Sequence, residues 1–233
     1  MEILLHRDLG REEFLTAFSF QEKLAEEKRN GKLADILLLV EHPHVFTIGR
    51  GGKDSNVIRP GEVPVLRTNR GGDVTYHGPG QMVTYPVIDL NSRLRRDVHR
   101  YLRLLERTVI ETLLEFGIHA ASMPPWTGIW IQKRKIASIG IAVKRGIAYH
   151  GLALNVNTDL SYFERIIPCG LLWAEMTSVQ KELGRIVRME EVKKKFVGHF
   201  MRIFGYSELR ELCHEGTLIG SKLEPQAVPT ISA

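Results

Sequence analysis

The 233-residue sequence predicts an α+β fold, a mixed or antiparallel sheet with helices packed against one face. Three observations carry that expectation. Segments 129–131, 136–143 and 148–156 are apolar runs separated by the polar turns Gln132-Lys133-Arg134 and Lys144-Arg145-Gly146, the pattern of a β-meander. Segments 97–116 and 189–204 repeat apolar residues at helical three- and four-residue steps. Ile36-Leu37-Leu38-Leu39-Val40 is a continuous apolar run, long enough for a buried strand and too short for a helix.

Taken in order, residues 11–29, opening Arg11-Glu12-Glu13-Phe14-Leu15, read as an amphipathic helix stopped near Asn30-Gly31. The strand 36–40 follows, and 50–61, rich in Gly, Asp, Ser and Asn, reads as a surface loop. Asp97 is placed to cap a helix whose apolar stripe is Val98, Leu102, Leu105, Val109, Thr112 and Phe116, with Gly117 as the stop. Its other face carries Arg100, Arg103 and Arg107, after Arg93, Arg95 and Arg96 in the lead-in; a solvated face is the first reading and a docking stripe the second. In the helix at 189–204 the basic run Lys193-Lys194-Lys195 stands beside Phe196, Phe200 and Ile203. After Gly216, with Pro225 and Pro229, the chain has little to bury, so 217–233 is expected to be loosely held.

The balance of 32 Lys and Arg against 27 Asp and Glu gives a net charge of +5. Such a surface suits an acidic partner, and equally a plain solubility bias. No aromatic platform is interleaved with the arginines, so no nucleic-acid partner is expected. Cys169 and Cys213 make neither a disulfide framework nor a zinc spacing, and no metal site is expected. The start MEILLHRDLG lacks a signal-peptide pattern and no run has membrane-spanning length, so the expected setting is cytoplasmic, with no membrane partner.

The chemistry concentrates first in 70–90. Four glycines, Arg70 and His77 fall within a dozen residues that then turn into an apolar strand. Such a turn presents backbone N–H groups and a few side chains to a small ligand. Cys169 stands in Ile166-Ile167-Pro168-Cys169-Gly170-Leu171, where proline fixes the approach and glycine frees the exit. A thiol there is displayed on a constrained turn, although most lone cysteines are small buried hydrophobes. A nucleophilic thiol needs a base or cation nearby, and His77, His150, Lys135 and the other basic residues of the meander are all candidates. Spacing does not choose among them. Cys213, in the amphipathic run 207–213, is given no role.

Together these residues carry a resemblance. Arg70-Gly71-Gly72-x-x-Thr75-x-His77-x-Pro79-Gly80-Gln81, Lys135-Ile136-Ala137-Ser138-Ile139-Gly140, His150-Gly151-Leu152-Ala153-Leu154-Asn155-Val156-Asn157, Pro168-Cys169-Gly170 and Thr177-Ser178-Val179 resemble the lipoyl(octanoyl) transferase family. Glu41-His42-Pro43 and Thr47-Ile48-Gly49-Arg50 match that family's earlier motif. Each piece alone is weak, but five in order are highly specific.

The resemblance runs from about residue 25 to 215 and implies a biotin/lipoate-protein-ligase-like catalytic domain, with 1–233 read as one domain. It implies transfer of an octanoyl group from octanoyl-acyl carrier protein to a lysine of a lipoyl domain, in the E2 subunits of 2-oxo acid dehydrogenases or in the glycine cleavage H protein. Both protein substrates are expected to be acidic, and no cofactor is implied. Cys169 corresponds to the nucleophile that forms a thioester, and Lys135 to the residue that lowers the thiol's pKa and shuttles its proton. Arg70, Gly71, Gly72, Asp73, Val74, Thr75, Tyr76 and His77, with Ser138, Ile139 and Gly140 and with His150, Gly151, Leu152 and Ala153, correspond to the acyl-substrate pocket.

Two features depart from the family or stand out in it. Leu171-Leu172-Trp173-Ala174-Glu175 is more apolar than the family's usual polar turn, and Met123-Pro124-Pro125-Trp126 reads as a lid or as packing. One rival is an ATP-dependent lipoate or biotin ligase. Its glycine loop carries a third consecutive glycine and ends Asp-x-Gly-Asn, where this chain has Pro79-Gly80-Gln81. Another is a non-catalytic acyl-binding module of the same fold, for which loss of Cys169 or Lys135 would have argued.

Overall fold

The computed structural model describes residues 2–212 apart from Leu172, and the backbone but not the side chain of Cys169. The readings of Cys213 and of 217–233 lie outside the described residues. In chain order the elements are β1 (Ile3–Arg11), α1 (Phe14–Arg29), β2 (Asp35–Glu41), β3 (Val45–Ile48), β4 (Val65–Arg67), β5 (Val74–His77), β6 (Gln81–Asp89), α2 (Leu90–Leu94) and α3 (Val98–Leu114). Then come β7 (Ala121–Met123), β8 (Trp126–Ile131), β9 (Arg134–Lys144), β10 (Ile147–Asn155), β11 (Glu175–Met176), α4 (Val179–Leu183), α5 (Met189–Phe204) and β12 (Glu208–Glu211).

The main sheet is mixed and runs β12-β1-β2-β6-β10-β9-β8-β7, with β11 added beside β9. From β2 to β7 every neighbouring pair is antiparallel, while β12, β1 and β2 are parallel to one another. A small second sheet, β4-β3-β5, stands beside it. The meander forms as expected, and Arg145 and Gly146 close its second turn with φ of 52° and 88°, a turn whose twist matches the strands it joins. Arg134 belongs to β9, so the first turn is Gln132-Lys133 alone.

Helices cover both faces of the sheet rather than one. On one side α3 and α5 bury Leu105, Val109, Phe196 and Phe200 against Leu37, Leu39, Ile136 and Leu154. On the other, α1 sets Ala17 and Leu24 against Ile36, Leu38, Val40 and Ala153. That explains the continuous apolar run at 36–40, whose alternate side chains enter two separate cores.

Asp97 caps α3 by accepting from the Arg100 N–H at 2.8 Å. The α3 stripe differs from the sequence expectation, since Tyr101, Glu106 and Thr108 are buried while Leu102 is half-buried. Arg95, Arg96, Arg100, Arg103 and Arg107 are exposed, as the first reading had it, while two other basic residues are engaged in the fold. Lys193 is buried in an ion pair with Asp8 at 2.7 Å. Arg93 bonds Asp35 and the Phe204 carbonyl, with its guanidinium 3.9 Å over the Tyr206 ring. Strands β1 and β12 went unanticipated, and the first helix starts at Phe14 because Arg11 ends β1. Segment 123–126 is the tight turn of the β7–β8 hairpin. Among the described residues no helix is long and apolar enough to cross a membrane.

Candidate active site

The glycine-rich segment is wedged between the two sheets. Arg50 N–H donates to the Arg70 carbonyl at 2.9 Å, Gly51 N–H to Gly72 at 3.1 Å, and Gly71 N–H to Ile141 of β9 at 2.8 Å. The Arg70 guanidinium, itself buried, clamps Thr47 through its carbonyl at 2.7 Å and its hydroxyl at 2.9 Å. A Cβ on Gly49 would stand 2.4 Å from the Gly72 carbonyl oxygen, so only glycine lets the loop approach this closely.

The result is a narrow crevice of about 50 Å³ walled by 70, 72–75 and 77 on one side and by 138–140 of β9 and 151–153 of β10 on the other. Three residues expected on its wall lie behind it. The Gly71 carbonyl packs toward Gly140. Tyr76 alternates to the opposite face of β5 and is buried with Phe46, Val74 and Phe163, its hydroxyl 2.7 Å from His44 Nδ1. His150, at φ 57°, places its Nε2 2.6 Å from Asn69 Oδ1, and its N–H donates to Gln21 at 3.0 Å. It props the loop from the rear.

A buried chain of hydrogen bonds runs from this loop to β9. His77 Nδ1–H donates to Gln81 Oε1 at 2.8 Å, and Gln81 Nε2 to Asn155 Oδ1 at 2.9 Å. Asn155 Nδ2 donates to the Thr177 carbonyl at 3.0 Å, and Thr177 N–H to the carbonyl of Lys135 at 3.0 Å. Glu41 accepts from the Gly80 N–H at 2.8 Å, and His42 lies 2.7 Å from the Tyr85 hydroxyl. These bonds join segments 41–42, 77–85, 155 and 177. Burial lowers His42 to about 4 and His77 to about 3, the latter helped by His42 and Arg70. Burial likewise lowers His150 to about 3, with Arg70 and Arg50 adding to it. All three are neutral imidazoles at physiological pH, so none supplies a cation.

Lys135 lies in β9 and is only 3% exposed, with its Nζ 5.1 Å from the centroid of the Trp130 ring. The 168–170 backbone forms one 3₁₀ turn, and Gly170 leaves it at φ 69°. A Cβ on Gly170 would meet Asp73 Oδ2 of the crevice at 2.7 Å, so the turn abuts the glycine loop. From there the chain returns to β9. Trp173 stacks on Trp130 at 5.5 Å, and β11 pairs Met176 with Lys135. The cysteine turn, the crevice wall and the strand of Lys135 thus share one neighbourhood.

The lipoyl protein ligase A/B catalytic-domain model matches residues 13–201. An octanoyltransferase of Solibacter usitatus is 46% identical over 209 residues, which are 87% of this chain and 94% of the relative. The chain belongs to the lipoyl protein ligase A/B family, in its octanoyltransferase branch. It is an acyltransferase, and its reaction is octanoyl transfer in lipoate metabolism.

The family's fold is evident in solved structures of low identity. A lipoate-protein ligase A bound with ATP superposes with a TM-score of 0.70 at 18% identity, covering 93% of this chain and 91% of that one. A bipartite lipoate protein ligase of Thermoplasma acidophilum, described with its E2 lipoyl domain, gives 0.66 at 17%, covering 92% and 88%. In this chain Trp173, in the apolar segment after Gly170, joins an aromatic cluster. Trp126 and Trp173, both partly exposed, meet edge-to-face at 5.0 Å beside Trp130. Sequence reasoning missed Glu106, a fully buried carboxylate on α3 that accepts from the Gly128 N–H at 3.3 Å. Its only sequence signal was a polar residue inside an apolar helical stripe.

Proposed function

We propose that the enzyme takes an octanoyl group from an acyl carrier protein thioester onto Cys169 and passes it to a lysine amine of a lipoyl domain. The observation that carries this reading is the path of segment 168–176, whose 168–170 turn abuts Asp73 of the crevice and whose strand β11 pairs with the strand of the buried Lys135. In the first half-reaction the Cys169 thiol gives its proton to Lys135. The thiolate attacks the thioester carbonyl, and the carrier thiolate leaves and takes a proton back. One thioester replaces another, a nearly neutral exchange. In the second half-reaction the acceptor lysine attacks as a neutral amine, its surplus proton is accepted at the site, and the Cys169 thiol is restored as the amide forms. One amine that takes up and returns the proton serves both steps.

Backbone N–H groups of the cysteine turn and the glycine loop are the candidates to hold the tetrahedral oxyanion. Ile139, Leu152 and Ala153 give the crevice apolar walls. Each methylene buried there is worth about 0.8 kcal/mol. A slot this narrow accepts a straight chain more readily than a branched one. The basic surface suits acidic protein partners, and the lipoyl-domain acceptor is in keeping with the ligase of the same fold described with its E2 lipoyl domain.

Because the donor is already a thioester, transfer needs no ATP. Incubation with octanoyl-acyl carrier protein and a lipoyl domain, without nucleotide, is expected to give an octanoylated lysine detectable by mass spectrometry. Product formed only from free octanoate and ATP would replace this reading with that of a ligase.

A further inference from the structure

Glu106 is a carboxylate where an apolar side chain would be expected. It projects from α3 against the sheet, is 1% exposed, and has two fixed partners. One is Arg103, a turn earlier, whose Nη1 is 2.5 Å away. The other is the Gly128 N–H of β8. Gly128 is also where Lys135 packs, since a Cβ there would meet Lys135 Cε at 2.5 Å and Nζ at 3.2 Å. Its φ of +126° adds a second reason for glycine. The carboxylate and the amine therefore lie on either side of one glycine, and the positive charge of Lys135 acts on Glu106 through it. Burial raises the Glu106 carboxyl above its ordinary range, against the opposing pull of the Gly128 N–H, Arg103 and Lys135.

We propose that Glu106 is a positioning residue for octanoyl transfer: its carboxylate, held by Gly128 and Arg103, fixes Lys135 and favours the ammonium form that a Cys169 thiolate requires. This rests on the role given to Lys135 above. The arrangement follows the nucleophile, base and orienter logic of catalytic triads, with the orienter acting across a backbone unit. Among the described residues, charged groups on the neighbouring strands include Arg134, which pairs with Glu182 at 3.0 and 3.1 Å, and Glu175, which lies opposite Arg134 in the β11–β9 register. Arg103 is half exposed and screened by water.

Removing a negative charge makes both the thiol and the ammonium easier to deprotonate, so the sign is fixed. In Glu106→Gln the amide oxygen still accepts from Gly128, and the pH profile of single-turnover acylation is expected to move to lower pH. Its upper limb should shift by about one unit. In a Lys135→Met background, which lacks the ammonium, the upper limb is expected to be absent and the same substitution to leave it absent. If Glu106→Gln does not fold, Glu106→Asp, which retracts the charge, is expected to shift the limb less and in the same direction. A uniform loss of rate with an unmoved profile, or no change at all, overturns the proposal for Glu106. A wild-type rate and profile in Lys135→Met would instead overturn the role of Lys135 itself.

Discussion

Lys135→Met and Lys135→Ala are expected to slow both half-reactions at neutral pH by a factor of about 10²–10⁴, the usual contribution of a positioned general acid–base. The acyl-enzyme and the amide product should suffer alike, because one group handles the proton in each. Met retains most of the lysine stem against Trp130 and Gly128, so it separates loss of the amine from loss of packing. Ala adds a cavity in a buried site and should cost stability as well. Rapid-quench measurement of each step, with circular dichroism as the fold control, checks this. Wild-type rates at pH 7 in Lys135→Met would remove it from the mechanism.

Acid is expected to unfold the protein well above the range in which carboxylates titrate. His42, His77 and His150 are buried and lowered to about 4, 3 and 3, so between those values and about 6.5 the unfolded chain binds three protons that the folded chain refuses. Stability is therefore complete above about pH 6.5 and is lost as the pH falls below it. At pH 5 each histidine costs about 2 kcal/mol and the three together about 6 kcal/mol, a large share of a typical 5–15 kcal/mol. The lowered carboxylates Glu62, Glu115, Asp159, Glu182 and Glu208 act only at still lower pH. Denaturant melts at pH 7.5, 6 and 5 measure the effect. A flat stability over that interval would mean that these imidazoles take up protons without unfolding.

Local signals in the sequence carried much of this structure. The Asp97 cap, the α5 stripe, the run at 36–40 and the two meander turns each depend on neighbours a few residues away, and each formed near where it was expected. What failed to show depends on distant partners. Strand β1 has only Leu4 and Leu5 fully buried, and it is held by parallel pairing with β2 and with β12, some 200 residues on. Arg93 read as a surface charge because its partners, Asp35 and Tyr206, are remote in sequence, and the burial of Lys193 likewise depends on the distant Asp8.

The crevice shows the same division. Its motif residues fall together, yet Tyr76 faces away because β5 alternates, and His150 lies behind the loop at a positive φ that no residue pattern announces. Glu106 stayed hidden because its reason for burial, Gly128 with Lys135 beyond it, lies on another strand. The opening glycine-rich stretch, which suggested a ligand cradle of unspecified kind, forms one wall of the crevice. The residues proposed to react, Cys169 and Lys135, belong to the turn that abuts it and to strand β9.

The thioester on Cys169 is the central claim, and intact-mass spectrometry of the whole chain mixed with octanoyl-acyl carrier protein, acceptor omitted, tests it most directly. The expected result is a single octanoyl adduct on the wild type that hydroxylamine removes, and no such adduct on Cys169→Ser. An adduct of the same yield and lability on Cys169→Ser, or none on a wild type that still octanoylates lipoyl domain, would contradict it.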